Sequence, residues 1–489
     1  MSHARRISPT GWMNLAGRLD QHASTPFYRQ IYERLREAIS GGTLHPGERL
    51  PSARSLASQL AMARGTIDSA YELLASEGYI VARGAGGTFV SPTLAGVVRT
   101  TPPSPRISGK QSDTSRQQPD GAPSITPLPF QLGLPALDAF PRKVWARLAG
   151  RRARDLPLSA LNPPDSFGYR PLRAAIASYL AIARNIRCDT DAIVITSGFQ
   201  GALGLITRAL LKPGEAVWVE DPGYVRARRA LALAGAKLIP VPVDERGIDV
   251  SAGIARSPLA RLALVTPAHQ FPLGVALDLP RRLALLAWAE KAGAWIIEDD
   301  YDGEFRYTSK PLPALKSLDE SDRVLYAGTF SKVLFPGLRL GYVVLPDALI
   351  EDFTRVLLAF YRDGSTFVGS VVADFMMQGH FARHIKRMRQ LYGERRAALA
   401  AALNTLFGDR FRIELQAGGM HLLAYLARDE QDTILAGKAQ AHGLALDALS
   451  PCGLENNRSQ GLVLGFTNTP THAALRQARR LERALASSD

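Results

Sequence analysis

The sequence predicts an α/β protein in which a small helical module precedes a large unit of alternating strands and helices. At 489 residues the chain exceeds one core, since about 150 residues per domain is usual. Composition separates a short tail (1–24), a helix-then-strand module (25–92), a segment rich in Pro, Ser, Thr and Gln (93–128) and an alternating unit (129–489). We expect the third segment to be a flexible linker, because it holds almost no large apolar side chain to bury.

The first module is predicted to contain three helices and a two-stranded wing. An apolar stripe runs along residues 26–40 and ends at a glycine pair, as helices often do. Two closely joined helices follow, one over about 52–60 and one that ends near residue 77, which is typical of a helix-turn-helix. Short strands at 79–83 and 88–90 flank a glycine-rich turn.

Five residues of this module are candidates for DNA contact. The second of the joined helices presents Arg64 and Thr66 at its start, and Ser52 and Arg54 begin the helix before it. Gly86 lies in the wing turn. An isolated arginine is more often part of a solvated surface, but the ordered set of motifs makes that interpretation weak here.

Those motifs, PGxRLPSxRxLAxxL, RxTxxxAYxxLxxEGY and GxGGTFV, resemble a GntR-type winged helix. One departure is Gly65 at the start of the recognition helix, where glycine costs about 1 kcal/mol of helix propensity relative to alanine. The resemblance implies a double-stranded DNA operator as partner.

In the large unit, a strand, a glycine turn and a helix form a predicted anion site. The run AIVITSG followed by FQGALGLITRALL leaves the amides of Gly198, Phe199 and Gln200 at a helix N-terminus, where a phosphate is stabilised. The same pattern is also common as plain α/β architecture.

The segment GTFSKVLFPGLRLGY carries the sharpest chemical signal. Thr329 and Ser331 precede Lys332 in the sequence, and Arg339 follows it seven residues later. An amine nucleophile therefore lies near hydroxyl and guanidinium groups that can bind a phosphate. A solvated surface lysine is the usual alternative for any single lysine.

The segment EDDYD argues against a solvated surface lysine. Asp299 and Tyr301 alternate on one face at the end of an apolar strand, where a buried carboxylate needs a cationic partner such as a protonated pyridine. Tyr224 of EDPGY offers a ring for stacking on such a group. His269 or Gln270 is a candidate for a further polar contact, although a lone histidine is more often structural.

Residues from about 130 to 485 resemble fold type I aminotransferases, and the order of the two parts resembles the MocR/GabR subfamily of GntR regulators. The resemblance implies pyridoxal 5'-phosphate as cofactor, Lys332 as its Schiff-base lysine, Asp299 as the partner of the pyridine nitrogen and Tyr301 as that of the phenolic oxygen. Phosphate would be bound by Thr329, Ser331, Arg339 and the Gly198 turn. It also implies a large lobe over about 165–365, a small lobe from the flanking segments, and a head-to-tail homodimer.

Effector binding is predicted at Arg226, two residues after Tyr224, where GABA-sensing relatives place a carboxylate-binding arginine. A surface arginine is the alternative. Aminotransferases usually carry a second such arginine before a run like LVLGF, but here Gly461 is nearest and Arg458 lies three residues earlier, which puts the α-carboxylate contact in doubt.

These features predict a regulator that senses an amino compound, or the vitamer itself, and changes how a dimer binds DNA. An active aminotransferase with a DNA-binding appendage is the alternative, and a regulator whose cofactor lobe is an empty scaffold is a third hypothesis. The net charge of +14 favours an anionic partner. With Cys188 and Cys452 alone, neither a disulfide framework nor a metal site is expected, and with no long apolar run or signal peptide we predict a cytoplasmic location.

Overall fold

The computed structural model describes residues 19–20, 25–94, 127–162, 165–307, 313–360, 366–427, 430–455 and 459–486. The chain divides into two compact units, Met1–Asp120 and Gly121–Asp489. The predicted tail and linker lie almost entirely outside the described residues, so both stay predictions. Within the ranges above, no helix has the length and apolar character needed to cross a membrane.

The first unit contains three helices and a two-stranded antiparallel wing in which Ile80 pairs with Val90 and Ala82 with Thr88. The elements are α1 (Phe27–Ser40), α2 (Ala53–Gln59), α3 (Arg64–Ser76), β1 (Ile80–Ala82) and β2 (Thr88–Val90). The predicted helices and strands are found within a few residues of these bounds.

One small core holds this unit together. The apolar stripe of α1 is fully buried, and it packs against one face of α2 and α3 and against the ends of both strands. The Tyr71 hydroxyl of α3 also donates a hydrogen bond to the Pro51 carbonyl, 3.0 Å away, which ties α3 to the turn before α2. The chief members of this core are Ile31, Leu35, Ile39, Leu56, Ile67, Leu74, Ile80 and Val90.

The second unit is built on an eight-stranded mixed sheet in the order β3-β10-β9-β8-β7-β4-β5-β6. Strands β5, β4, β7, β8 and β9 run parallel, β10 is antiparallel to both of its neighbours, and β6 is antiparallel to β5. The strands are β3 (Ile193–Thr196), β4 (Ala216–Asp221), β5 (Lys237–Asp244), β6 (Gly247–Ile248), β7 (Leu262–Val265), β8 (Trp295–Asp300), β9 (Val324–Thr329) and β10 (Gly341–Val344).

Helices cover both faces of this sheet and bury separate apolar clusters against it. They are α4 (Arg142–Arg154), α5 (Arg170–Ala183), α6 (Phe199–Leu210), α7 (Val225–Leu233), α8 (Val250–Arg256), α9 (Leu279–Ala292), α10 (Ile350–Phe360) and α11 (Thr366–Met377). Because parallel strands end at one edge, the ends of β4, β7, β8 and β9 gather there, and that edge is where ligands bind in open α/β sheets.

A smaller antiparallel sheet in the order β11-β12-β14-β13 forms the second lobe of this unit. It shares a core with the long helix α12 (His380–Phe407) and with α14 (Ala474–Ala486). The remaining elements are β11 (Phe411–Glu414), β12 (His421–Leu426), α13 (Asp432–Ala441), β13 (Asp447–Ala448) and β14 (Gly461–Gly465). This architecture agrees with the predicted α/β class and its two lobes. Cys188 and Cys452 are not joined in a disulfide.

Candidate functional site

The predicted phosphate-binding segments meet at one edge of the large sheet. Gly341, at the start of β10, pairs with Thr329 at the end of β9 and with Thr196 at the end of β3. Two residues after Thr196, Gly198 has a φ of 84°, and α6 begins at the next residue. A Cβ on Gly198 would lie 3.9 Å from the Ser331 hydroxyl oxygen. Free helix amides and hydroxyl groups thus converge, which is the composition of an anion site.

The other residues predicted at this edge are more exposed. Arg339 adopts a left-handed backbone with a φ of 49°, and its exposed side chain forms no hydrogen bond or ion pair among the described residues. Phe199 is half-buried, and its ring centroid lies 6.4 Å from that of Tyr224. Gln200 is exposed and hydrogen-bonds through its side chain to Tyr224. Arg339 is therefore close to the anion edge in sequence, and it is free to turn toward a ligand.

The Lys332 amine points inward at the end of β9. Its Nζ donates a hydrogen bond to the Gly133 carbonyl, 3.1 Å away. Burial lowers the pKa of Lys332, the charges of Asp299 and Asp302 oppose that shift, and Arg226 adds to it. Gly133 has a φ of 62°, and a Cβ there would lie only 2.1 Å from Nζ. No sequence pattern indicates this contact, which joins residues 199 positions apart.

Asp299 is a buried carboxylate without a cation of its own. It is 6% exposed and forms no ion pair in the part of the chain that the structure describes. Burial, followed by the charges of Asp300 and Asp302, raises the pKa of Asp299 well above its usual value, and Lys332 lowers it. By contrast, Asp300 forms an ion pair with Arg184, with Nε and Oδ2 2.8 Å apart. Glu298 accepts the backbone amides of residues 315 and 316. Asp299 is thus the carboxylate of this strand that is left for a cationic ligand.

Tyr301 forms a polar cluster with two buried neighbours. Nδ1 of His269 lies 3.0 Å from the Tyr301 hydroxyl and 3.1 Å from Oδ2 of Asp302. Asp302 is 0% exposed, and apart from this contact with His269 its oxygens have no hydrogen-bond partner among the described residues; Nε2 of His269 has none there either. They line a cavity of about 10 Å³, room for about one water molecule. Asp302 was not among the predicted site residues.

A third buried side chain, His421, approaches the same cluster. The ligand atoms of His269, Asp302 and His421 all lie within 4.8 Å of one another, which is the donor set of a metal site. Nε2 of His421, however, already donates to the Pro272 carbonyl at 2.9 Å, and Arg306 lines the cavity with a positive charge. Burial lowers the pKa of His421 to about 4. We interpret the group as an Asp–His pair beside a neutral histidine.

An aromatic wall forms the side of the site next to Tyr224. The rings of Tyr224 and Phe271 meet edge to face with centroids 5.7 Å apart, and Phe271 lies 6.5 Å from Tyr301 in the same manner. Burial raises the pKa of Tyr224, so the hydroxyl remains protonated at neutral pH. Sequence reasoning named Tyr224 but missed Phe271, which follows the named pair His269 and Gln270.

The side-chain amide of Gln270, a predicted cofactor contact, is hydrogen-bonded within the protein at both its nitrogen and its oxygen. Nε2 donates to the carbonyls of Pro222 at 2.8 Å and Phe271 at 2.6 Å and to Glu220 at 3.2 Å, and Oε1 accepts from the Leu273 amide at 3.1 Å. Gln270 is 1% exposed. It therefore fixes the loop that carries the aromatic wall.

Five hydrogen bonds clamp the turn before α7 to the small lobe. Arg228 donates to the carbonyls of Cys452 at 2.6 Å and Pro451 at 2.9 Å, and the Gly223 amide donates to Cys452 at 2.9 Å. The Asp221 carboxylate accepts from the backbone amides of residues 454 and 455. We call residues 221–228 together with 451–455 the clamp. Tyr224 and Arg226 both lie within its first segment.

The predicted effector residue Arg226 is exposed in the first turn of α7 and lies within electrostatic reach of Lys332 and Tyr224. Gly461 begins β14, pairs with Tyr425 and donates its amide to Asp432, 3.1 Å away. Arg458 lies outside the described residues. The α-carboxylate contact therefore stays open.

In the winged helix, Arg64 begins α3 with 70% of its side chain exposed and lies 3.3 Å from Asp68. Arg54 is exposed on α2, and Thr66 is half-buried on α3. Ser52 has a structural role, because its hydroxyl accepts the Ser55 amide and so caps α2. The wing turns through positive φ at glycines 84 and 87, and Gly86, the predicted DNA contact, lies between them.

The structure adds two arginines to this surface that sequence reasoning missed. Arg49 packs its guanidinium against Gly87, where a Cβ would lie 3.0 Å from Nε. Arg83 lies over the ring of Phe89, 5.1 Å from its centroid. Both flank the wing, so the glycine-rich turn carries cationic groups at its sides.

Comparison with known proteins gives two family matches. The model described as bacterial regulatory proteins, gntR family, matches residues 27–90, and the one described as aminotransferase class I and II matches residues 149–461. The chain is 38% identical over 459 residues to the probable rhizopine catabolism regulatory protein MocR of Rhizobium meliloti, which covers 92% of this chain and 91% of that protein. It is 33% identical over 450 residues to the pyridoxine biosynthesis transcriptional regulator PdxR of Corynebacterium glutamicum, covering 92% and 93%.

Among solved structures, the second unit is similar to LysN, an alpha-aminoadipate aminotransferase of Thermus thermophilus that was solved with N-(5'-phosphopyridoxyl)-L-leucine. The TM-score is 0.66 at 30% identity, and the match covers 73% of this chain and 92% of that one. The predicted fold class is confirmed by these matches.

Proposed function

We propose, from the premise that this chain belongs to the MocR/GabR subfamily of GntR transcription regulators, that it attaches pyridoxal 5'-phosphate at Lys332 and senses an amino compound or the vitamer itself. The aminotransferase fold and its cofactor-dependent relatives imply dependence on pyridoxal phosphate. The observation that carries the proposal is Asp299, a buried carboxylate with no ion pair in the described ranges and with the Lys332 amine within electrostatic reach.

The donor set fits the cofactor group by group. Bound pyridoxal phosphate supplies an aldehyde for an amine and an electron-withdrawing ring. The lowered pKa of Lys332 keeps more of its amine neutral and nucleophilic. Asp299 would hold a proton at the ring nitrogen, since a cation there offsets the cost of burying the carboxylate. Tyr301 would hydrogen-bond the phenolic oxygen while His269 fixes its hydroxyl.

The remaining residues divide between phosphate and effector. The Gly198 turn with Phe199 and Gln200, together with Thr329, Ser331 and Arg339, would bind the phosphate at the sheet edge. Tyr224 would stack on the ring. Arg226 would bind an effector carboxylate, for which a forked guanidinium is well suited.

DNA binding follows from the winged helix, and Arg64, Thr66 and Arg54 would face the operator. We further propose a homodimer arranged head to tail, in a cytoplasmic location, as the family relation suggests. The named regulators that match more than nine-tenths of the chain support a regulator over the alternative of an active aminotransferase. Multiple-turnover keto-acid production would favour that alternative.

The test is attachment of the cofactor. Wild-type protein, Lys332→Ala and the control Lys291→Ala, an exposed lysine of α9, are incubated with pyridoxal phosphate, reduced with borohydride and mapped by mass spectrometry. We expect a pyridoxyl adduct on Lys332 in the wild type and in the control and none in Lys332→Ala, whose circular dichroism stays unchanged. An adduct of equal yield in Lys332→Ala would refute the proposal.

The DNA half is tested separately. We expect Arg64→Ala to weaken binding to duplex DNA at fixed salt and to leave cofactor binding unchanged. Equal DNA affinity for this variant and the wild type would remove Arg64 from the reading surface.

A further inference from the structure

The winged helix carries very little of the positive charge of this chain. Residues 27–90 hold seven arginines, no lysine and six acidic residues, so the module is nearly neutral, whereas the whole chain has a net charge of +14. Proteins bind DNA largely by neutralising phosphates with Lys and Arg. The winged helix alone therefore gains little DNA affinity from the neutralisation of phosphates.

A strongly basic helix lies in the other unit. Helix α4 contains six basic residues and no acidic one. Leu148 is its buried anchor at 1% exposure, and Arg147, Arg151 and Arg154 follow the helical spacing of neighbours on one face, over a length of about 10 Å. These three arginines, Leu148 and Gln378 line a groove of about 440 Å³.

The first turns of α12 add further exposed basic residues to those of α4. Arg383, Lys386 and Arg387 are exposed there. Burial, and then the charges of Arg383 and Arg147, lowers the pKa of His380, which shows that cations from both helices lie around one imidazole. We call the exposed cations of α4 and of the start of α12 the α4/α12 basic face.

Acidic groups offset only part of this charge. Asp374 is buried and pairs with Arg151, with Nη2 and Oδ2 2.9 Å apart, and with Arg152. Asp155 lies at the exposed end of α4. Arg147 and Arg154 form no ion pair among the residues described, so their charges remain available to an external anion.

We infer that the α4/α12 basic face binds the phosphate backbone of DNA that the same chain holds through its winged helix. A row of separate guanidiniums in an open groove suits a line of phosphates, and sequence-independent contacts of this kind position a protein on a duplex. Both surfaces belong to one chain, so a duplex that reaches both would be held by the sum of their contacts. The inference rests on the DNA-binding half of the proposed function and is independent of the cofactor.

The test uses full-length protein and a random-sequence DNA duplex in a salt titration followed by fluorescence anisotropy. The variant is Arg147→Gln/Arg154→Gln. The matched control is Arg476→Gln/Arg479→Gln, which removes two exposed arginines from α14 in the small lobe. Arg64→Ala reports the winged helix separately.

If two phosphate contacts are lost, the slope of log K against log salt falls in magnitude by about 2, and the Kd at 0.1 M salt rises about 60-fold when the affinity extrapolated to 1 M salt is unchanged. The control should keep the wild-type slope. An unchanged slope for Arg147→Gln/Arg154→Gln, or an equal change in the control, would overturn the inference while Arg64→Ala still weakens binding. If no form of the protein binds duplex DNA, the DNA-binding half of the proposed function fails as well.

Discussion

Replacing Gly133 with alanine perturbs the candidate site through a residue that does no chemistry. Gly133 approaches Lys332 so closely that the new Cβ would lie 2.1 Å from Nζ and 2.9 Å from Cε. An ordinary van der Waals contact is 3.4 Å or more, so the amine must retreat by about 1.3 Å. Because the lysine tip is flexible, we expect this displacement to occur without unfolding the lobe.

Two effects of different size follow. Alanine at a φ of 62° costs about 1 to 2 kcal/mol of stability, since left-handed backbone crowds its Cβ. A misplacement of about 1 Å at a reacting group costs about 100-fold in rate. We therefore expect a modest loss of stability and a decrease of about 100-fold in the rate at which pyridoxal phosphate attaches.

Gly293→Ala separates the two effects. Gly293 has a φ of 63°, and a Cβ there would meet no atom within 4 Å, so this variant carries the backbone cost alone. Thermal melts give the stability of both variants, and stopped-flow absorbance after mixing with pyridoxal phosphate gives the attachment rate. Equal attachment rates for the two variants would refute the argument that Gly133 positions the amine.

Three further predictions concern charge and helix propensity. Asp302→Asn removes a charge that raises the pKa of Lys332, so the pH profile of cofactor attachment should move to lower pH; an unmoved profile would contradict this. Burial raises the pKa of Glu220 to about 7, so the stability this group contributes is complete below pH 4.5 and is lost as the pH rises through 7. Glu220→Gln should remove that decline, which is about 3 kcal/mol for a pKa raised from 4.5 to about 7. Denaturant titrations from pH 4 to 8 measure it, and parallel curves for the variant and the wild type would count against the prediction. Gly65→Ala adds a Cβ in open space at the start of α3 and should stabilise the winged helix by up to about 1 kcal/mol, whereas a lower Tm would mean that the glycine is needed there.

The elements and the strand ends were predictable because they follow local patterns. The stripe of α1 and the glycine pair after it fix that helix, and alternation in EDDYD separates Asp299 from Asp300. In the structure Asp300 turns to Arg184, and Asp299 keeps to the side of Lys332. A period of two residues was sufficient for this assignment.

Contacts between distant segments were not predictable from the sequence. Nothing in the segment around Gly133 indicates that it meets Lys332, and His421 reaches His269 from the other lobe. Two polar residues predicted as ligand contacts also form hydrogen bonds within the protein that the sequence did not indicate, because Ser52 caps α2 and Gln270 fixes its own loop. A serine at the start of a helix commonly bonds a local amide in this way.

The clamp between residues 221–228 and 451–455 links the predicted ligand-binding turn to the small lobe. Tyr224 and Arg226 belong to a segment that is hydrogen-bonded to the small lobe through the Arg228 guanidinium and the Asp221 carboxylate. A ligand that displaces this turn must either move residues 451–455 as well or break the hydrogen bonds of Arg228 and Asp221. We therefore expect a ligand that displaces this turn to move the small lobe with it, so that the size of the ligand matters as well as its charge.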